Sequence, residues 1–177
     1  MTSVSFNLVQ GYVPGEQKVI AASGGEALQT ETISIKPKLE IVKLYAAKNN
    51  PGLDWDKDSS NWKHNASVKV ENTGSGPVTI TNLLFLNTPN PTPANDENLR
   101  DHEQVTLSPG AKTTLYADRE PFIGVVEGHI KCGSEAKGKV TLTTTVGDDL
   151  TETFSWSSSG DYEYIHVEGC SISIERE

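Results

Sequence analysis

Apolar side chains recur at every second residue along most of this chain, in short runs rather than in long stripes. The runs are Val4, Phe6 and Leu8; Ile33 and Ile35; Leu39 and Ile41; Val68 and Val70; Val78 and Ile80; Leu84 and Leu86; Val105 and Leu107; Val140 and Leu142; Phe154 and Trp156; Ile165 and Val167; and Ile172 and Ile174. A strand turns successive side chains to opposite faces, so each run predicts a strand with one face in a core. Between them lie Asn72-Thr-Gly-Ser-Gly-Pro77, Ser108-Pro-Gly110, Gly147-Asp-Asp149 and Ser157-Ser-Ser-Gly-Asp161. Glycines there accept positive φ, and Asn, Asp and Ser side chains imitate backbone turns, so each cluster is expected to be a turn. No window of a dozen residues carries a helical apolar stripe; only 24–30 and 95–102 leave room for a short helix.

Strands at roughly ten-residue spacing predict an all-β fold, an antiparallel β-sandwich of immunoglobulin-like or actinoporin-like type with an N-terminal β extension. The chain of 177 residues suits a single domain. Within it, 1–47 reads as N-terminal strands, 48–62 as an irregular loop rich in Asn, Asp, Ser, Pro and Gly, and 63–177 as the sandwich core. The segment Asn87-Thr-Pro-Asn-Pro-Thr-Pro-Ala94 holds three prolines in alternation, which suits an exposed extended stretch and is incompatible with a central strand.

Charge narrows the function classes. Fifteen Lys and Arg against 24 Asp and Glu leave a formal charge of −9, which opposes nucleic-acid binding, because that affinity rests on clustered cations. No stretch is long and apolar enough to span a bilayer as a helix, and Met1-Thr-Ser lacks a signal-peptide pattern. The chain therefore reads as soluble, extracellular or released from cells without an evident leader. Cys132 and Cys170 are the only thiols, which allows one disulfide or two buried thiols and no four-cysteine zinc site.

The chemistry-bearing residues do not assemble an enzyme signature. His64, His102, His129 and His166 are scattered, and the sequence contains no nucleophile elbow, phosphate loop or dinucleotide fingerprint. Neither a catalytic site nor a metal or other cofactor is expected. Asp54-Trp-Asp56-Lys-Asp58-Ser-Ser60 alternates carboxylates as calcium loops do, but lacks the glycine and the terminal glutamate of an EF-hand. Asn65-Ala-Ser67 matches the glycosylation acceptor pattern. The aromatics say more. Trp55 and Trp62 sit in or beside the irregular loop, and Tyr162 and Tyr164 alternate after the Ser/Gly cluster, whereas Trp156 reads as core. Exposed Trp and Tyr suit membrane interfaces, sugars or protein hot spots, so these four are the expected ligand-binding residues.

From Trp62 onward, the strand Ala66-Ser-Val-Lys-Val-Glu-Asn72, the segment Leu107-Ser-Pro-Gly-Ala-Lys-Thr-Thr-Leu-Tyr-Ala-Asp118 and the following Pro121-Phe-Ile-Gly-Val-Val-Glu-Gly-His-Ile130 resemble the aegerolysin family. That resemblance implies an acidic actinoporin-like sandwich that binds membrane lipids such as sphingolipids, or a surface receptor, and acts with a second, larger protein to form pores or insecticidal toxins. The run from Val68 to Ile80 followed by Leu107-Ser-Pro-Gly110 also looks like immunoglobulin-like modules of microbial envelopes. These imply a structural module of a surface filament, adhesin or virion, with the N-terminal strands available for self-association. Carbohydrate binding is the third reading.

Overall fold

The computed structural model describes residues 15–23, 26–46, 66–94, 98–99, 103–122, 132–146, 148–160 and 171–177. These residues contain no helix, and so none that could cross a membrane. The described residues form ten strands: β1 Gly15–Ser23, β2 Glu26–Ile35, β3 Leu39–Ala46, β4 Ala66–Asn72, β5 Val78–Leu86, β6 Val105–Leu107, β7 Lys112–Tyr116, β8 Glu135–Thr144, β9 Leu150–Ser159 and β10 Ser171–Arg176. They form a five-stranded sheet ordered β10-β9-β8-β5-β6, a three-stranded sheet ordered β3-β4-β7, and a separate ribbon of β1 and β2. Every pairing is antiparallel. The all-β expectation holds.

Alternation places the core. Val68 and Val70 of β4, Ile41 and Leu44 of β3 and Leu115 of β7 meet Ile80, Phe85, Val140, Leu142, Phe154 and Ile172 from the larger sheet in one apolar cluster. Burying each such side chain contributes roughly 1.5–3 kcal/mol, so sheets that share a cluster hold each other in place. At its centre Phe85, Phe122, Phe154 and Trp156 stack edge to face at 6.1–6.3 Å, the arrangement that ring quadrupoles favour. The Trp156 indole N–H donates to the Asn87 carbonyl at 3.1 Å, which satisfies its one polar atom.

Several expectations need correction. Leu84 and Leu86 were expected to face the core, but a register shift between Ile80 and Asn82 reverses the parity of β5 and turns Leu83 and Phe85 inward instead. A similar shift in β3 lets Ile41 and Leu44 both point inward and leaves Val42 exposed. Glu26–Thr30, where a short helix had room, belongs to β2 because it pairs with β1. The serines 157–159, expected in a turn, continue β9: the hairpin to β8 and the ladder to β10 both run through them. In the proline-rich segment Pro91 and Pro93 are exposed, but Thr92 is buried, and its hydroxyl bonds both the Phe85 N–H and the Phe85 carbonyl.

Asn72 joins four segments. Its side-chain amide donates to the carbonyls of Gly76 at 2.8 Å and Leu107 at 2.9 Å, and its oxygen accepts the Gly74 N–H at 3.0 Å. Its backbone bonds Gly110 and Ala111 in the β6–β7 turn. Asn72→Ala is expected to cost about 3 kcal/mol, because it strands two carbonyls and an N–H away from water. Asn72→Asp should cost at least as much, since a carboxylate would then face two carbonyl oxygens. Urea denaturation measures both; a loss under about 1 kcal/mol for either would contradict the role given to this side chain.

Candidate interaction surfaces

The β4–β5 turn anchors the ribbon. The Lys36 carbonyl accepts the Ser75 N–H at 2.8 Å and the Lys38 carbonyl accepts the Thr73 N–H at 2.8 Å. The Ser75 hydroxyl accepts the Lys36 N–H and donates to the Ser34 carbonyl. Gly74 makes this approach possible, because a Cβ there would lie 2.2 Å from the Lys36 oxygen. Beyond this clamp the ribbon runs nine residues on one side and ten on the other, and its strands pair only with each other among the described residues.

Register sorts the ribbon into two faces. Val19 lies opposite Glu31 and Gln17 opposite Ile33 on one face; Lys18 lies opposite Thr32 and Ile20 opposite Thr30 on the other. Val19 and Ile33 are half-buried, and Ile20 is 57 % exposed, the most of any large apolar side chain described. This strand escapes a reading based on apolar alternation because neither of its faces lies in the core.

The outward side of the three-stranded sheet is ordered in rows across β3, β4 and β7. Glu40, Glu71 and Lys112 form the first, Lys43, Lys69 and Thr114 the second, Tyr45, Ser67 and Tyr116 the third. Both carboxylates of the first row are paired: Lys112 pairs with Glu71 at 2.9 Å within the row, and Lys38, just before β3, pairs with Glu40 at 2.6 Å. The hydrogen bond from Lys38, helped by one from Thr73, lowers the Glu40 pKa. The second row places two ammonium side chains directly opposite each other, an arrangement that costs a few tenths to about 1 kcal/mol. Lys43 lies over the Tyr45 ring, 5.0 Å from its centroid, which fixes one of the two charges. Ser67, between the two tyrosines, is fully buried, and its hydroxyl has no hydrogen-bond partner among the described residues.

A shallow groove of about 450 Å³ crosses β8, β9 and β10 between Glu135, Lys137, Ser155, Ser157, Ser173 and Glu175. Lys137 of this groove pairs with Glu177 at 2.6 Å and holds that carboxyl below its usual pKa. The Glu120 carboxyl is shifted the other way, raised by burial. Among the described residues no group of three His, Cys, Asp or Glu could hold a metal ion.

The four aromatics expected to bind a ligand, Trp55, Trp62, Tyr162 and Tyr164, lie outside the described residues, as do the four histidines, the acidic run 54–60 and Asn65. Trp156 is core. The lysine and tyrosine rows escaped a reading of the sequence because residues 45, 67 and 116 become neighbours only through the register of three strands. The visible signal was no more than alternation of polar residues in Ser67-Val-Lys-Val-Glu71. No protein-family model matches the chain, no curated protein matches its sequence, and no solved structure matches its fold.

Proposed function

We propose that this chain is a non-enzymatic structural module that assembles with neighbouring copies of itself, as the subunit of a surface filament, adhesin or virion does, and that the β1–β2 ribbon is its connecting arm. The observation that carries this reading is the ribbon itself. A two-stranded ribbon is marginally stable in water unless a face or an edge is covered. Here such a ribbon is held at its base by the Ser75 clamp and extends for about 30 Å at roughly 3.4 Å per residue. Its edges pair with no further strand among the described residues. Open edges of this length are what proteins blunt when they must stay apart, and what they use when they assemble.

Light scattering and sedimentation across a concentration series provide the test. The wild-type chain should form concentration-dependent oligomers or polymers, whereas Val19→Pro with Thr32→Pro, which breaks the ribbon ladder, should leave monomers whose sandwich melts at the same temperature. A wild-type chain that stays monomeric up to its solubility limit would refute the proposal.

A further inference from the structure

If the ribbon is an arm, it needs a seat, and resting on that reading we infer that the seat is the outward face of the three-stranded sheet of a second copy. The arm lies there with its Val19, Glu31 and Ile33 face down, Glu31 between Lys43 and Lys69.

Three observations converge on this surface. The first is charge. The chain as a whole carries −9, yet Lys43 and Lys69 stand side by side, each with no carboxylate partner among the described residues. An opposed pair of ammonium groups is unfavourable within one molecule and becomes favourable when an acid enters between them. The ribbon offers such acids in Glu16 and Glu31, both exposed. Glu31 is exposed and shares its face with the two half-buried aliphatics.

The second is the character of the neighbouring row. Tyr45 and Tyr116, both half-buried, flank a fully buried serine, so the row sets two aromatic bodies beside the charges. Tyrosine is among the residue types enriched at protein contact surfaces and their energetic centres. On the ribbon, the row of Val19 and Glu31 adjoins the row of Ile33 and Gln17. Adjacent rows on one strand face are separated by two residues, roughly 6.8 Å, in ribbon and sheet alike. Seating Glu31 on the lysine row, with the base of the ribbon toward the tyrosines, brings Ile33 over the tyrosine row.

The third is polarity. The arm joins the sandwich just before Leu39, at the start of β3, whereas Tyr45 lies six residues further along that strand, about 20 Å away at 3.3 Å per residue. The base of the arm and the tyrosine row thus lie at opposite ends of β3. A contact between different surfaces of identical subunits is heterologous, and it propagates as an open fibre unless the rotation happens to close it.

Charge reversal gives a decisive experiment. The K43E/K69E variant and the E31K variant should each lose assembly by at least tenfold in the concentration required, because both then oppose like charges at the seat. Mixed in equal amounts they should assemble again, as alternating copies, since the arm of each then meets a complementary face on the other. Circular dichroism melting of each variant checks that the monomer is intact. If the wild type does not assemble at all, the structural-module reading itself fails. If the wild type assembles and the proline variant does not, but K43E/K69E assembles as well as wild type or the mixture fails to recover, the arm stands and this seat is wrong.

Discussion

Phe154→Ala is expected to lower the free energy of unfolding by about 4 kcal/mol, among the largest effects a single core substitution here should have. The ring is completely buried and lies 6.1 Å from Phe85 and 6.3 Å from Phe122, so its loss removes apolar burial and two edge-to-face contacts together. A more discriminating measurement comes from its cross-strand partner. Gly138 on β8 stands directly opposite Phe154, and a Cβ at that position would lie 2.3 Å from Phe154 Cζ. The glycine exists because the ring covers it. Gly138→Ala should therefore cost about 2 kcal/mol or more in the wild-type chain, through overpacking. In the Phe154→Ala background the same change should be neutral or stabilising by about 0.5 kcal/mol, because alanine suits a strand better than glycine once the space is free. Urea denaturation of the four proteins gives the coupling energy. Simple additivity would mean that the ring does not sit on the glycine.

That pair also shows what the sequence could reveal. Phe154 and Trp156 are legible as inward residues of a strand because the two-residue period reports one buried face. The same rule correctly places Val68, Val70, Val78, Ile80, Val140, Leu142 and Ile172 in the core. It fails where its physical premise fails. Gly15–Ser23 has no core face, so no alternation marks it as a strand. A bulge in β5 shifts the phase, so counting in twos picks Leu84 and Leu86 where the core takes Leu83 and Phe85. The Ser-rich end of β9 resembles a turn by composition, but pairing on both sides, with β8 and β10, fixes it as strand. Composition reports what a segment tolerates, and neighbours decide what it does.

The interaction surfaces were less legible for a related reason. A motif is visible in sequence when its members are close along the chain, and nothing local links Lys43 to Lys69 or Tyr45 to Tyr116. Their adjacency is a product of register, which is set by inward residues such as Ile41, Val68 and Leu115. The outward rows are thus placed by the core beneath them. A slip of one residue in β4 would bury Lys69 and expose Val68. The same core places the base of the ribbon, because the β4–β5 turn that clamps Ser34 and Lys36 extends directly from β4.

Reduction of the disulfide, or Cys132→Ser, should lower stability by a similar amount, about 4 kcal/mol. The sequence left open whether the two cysteines bridge; Cys132 is disulfide-bonded, and Cys170 is the only other cysteine in the chain. A cross-link between them closes a loop of about 40 residues, for which the loss of chain entropy in the unfolded state corresponds to roughly 4 kcal/mol. Its place in the fold adds a specific consequence. Cys132 precedes β8 at the end where Gly133 donates to the Ser158 carbonyl at 2.8 Å and Ser158 donates to the Ser134 carbonyl at 2.9 Å. Cys170 immediately precedes β10, the edge strand, which pairs only with β9 among the described residues and carries Ile172 into the core. The other end of β10 is latched by Arg176, which pairs with Glu152 at 2.8 Å and donates to the Val42 carbonyl of the opposite sheet at 3.1 Å. With the bridge open, the start of the strand keeps one ladder and the Ile172 side chain, whereas its far end also keeps the Arg176 and Glu177 contacts, so hydrogen exchange should quicken first along 171–176 and only later in β5 and β8. Thiol titration of the native protein should find no reactive cysteine until reductant is added. Two free thiols without reductant, or an unchanged denaturation midpoint after reduction, would show that β10 is held by its packing alone.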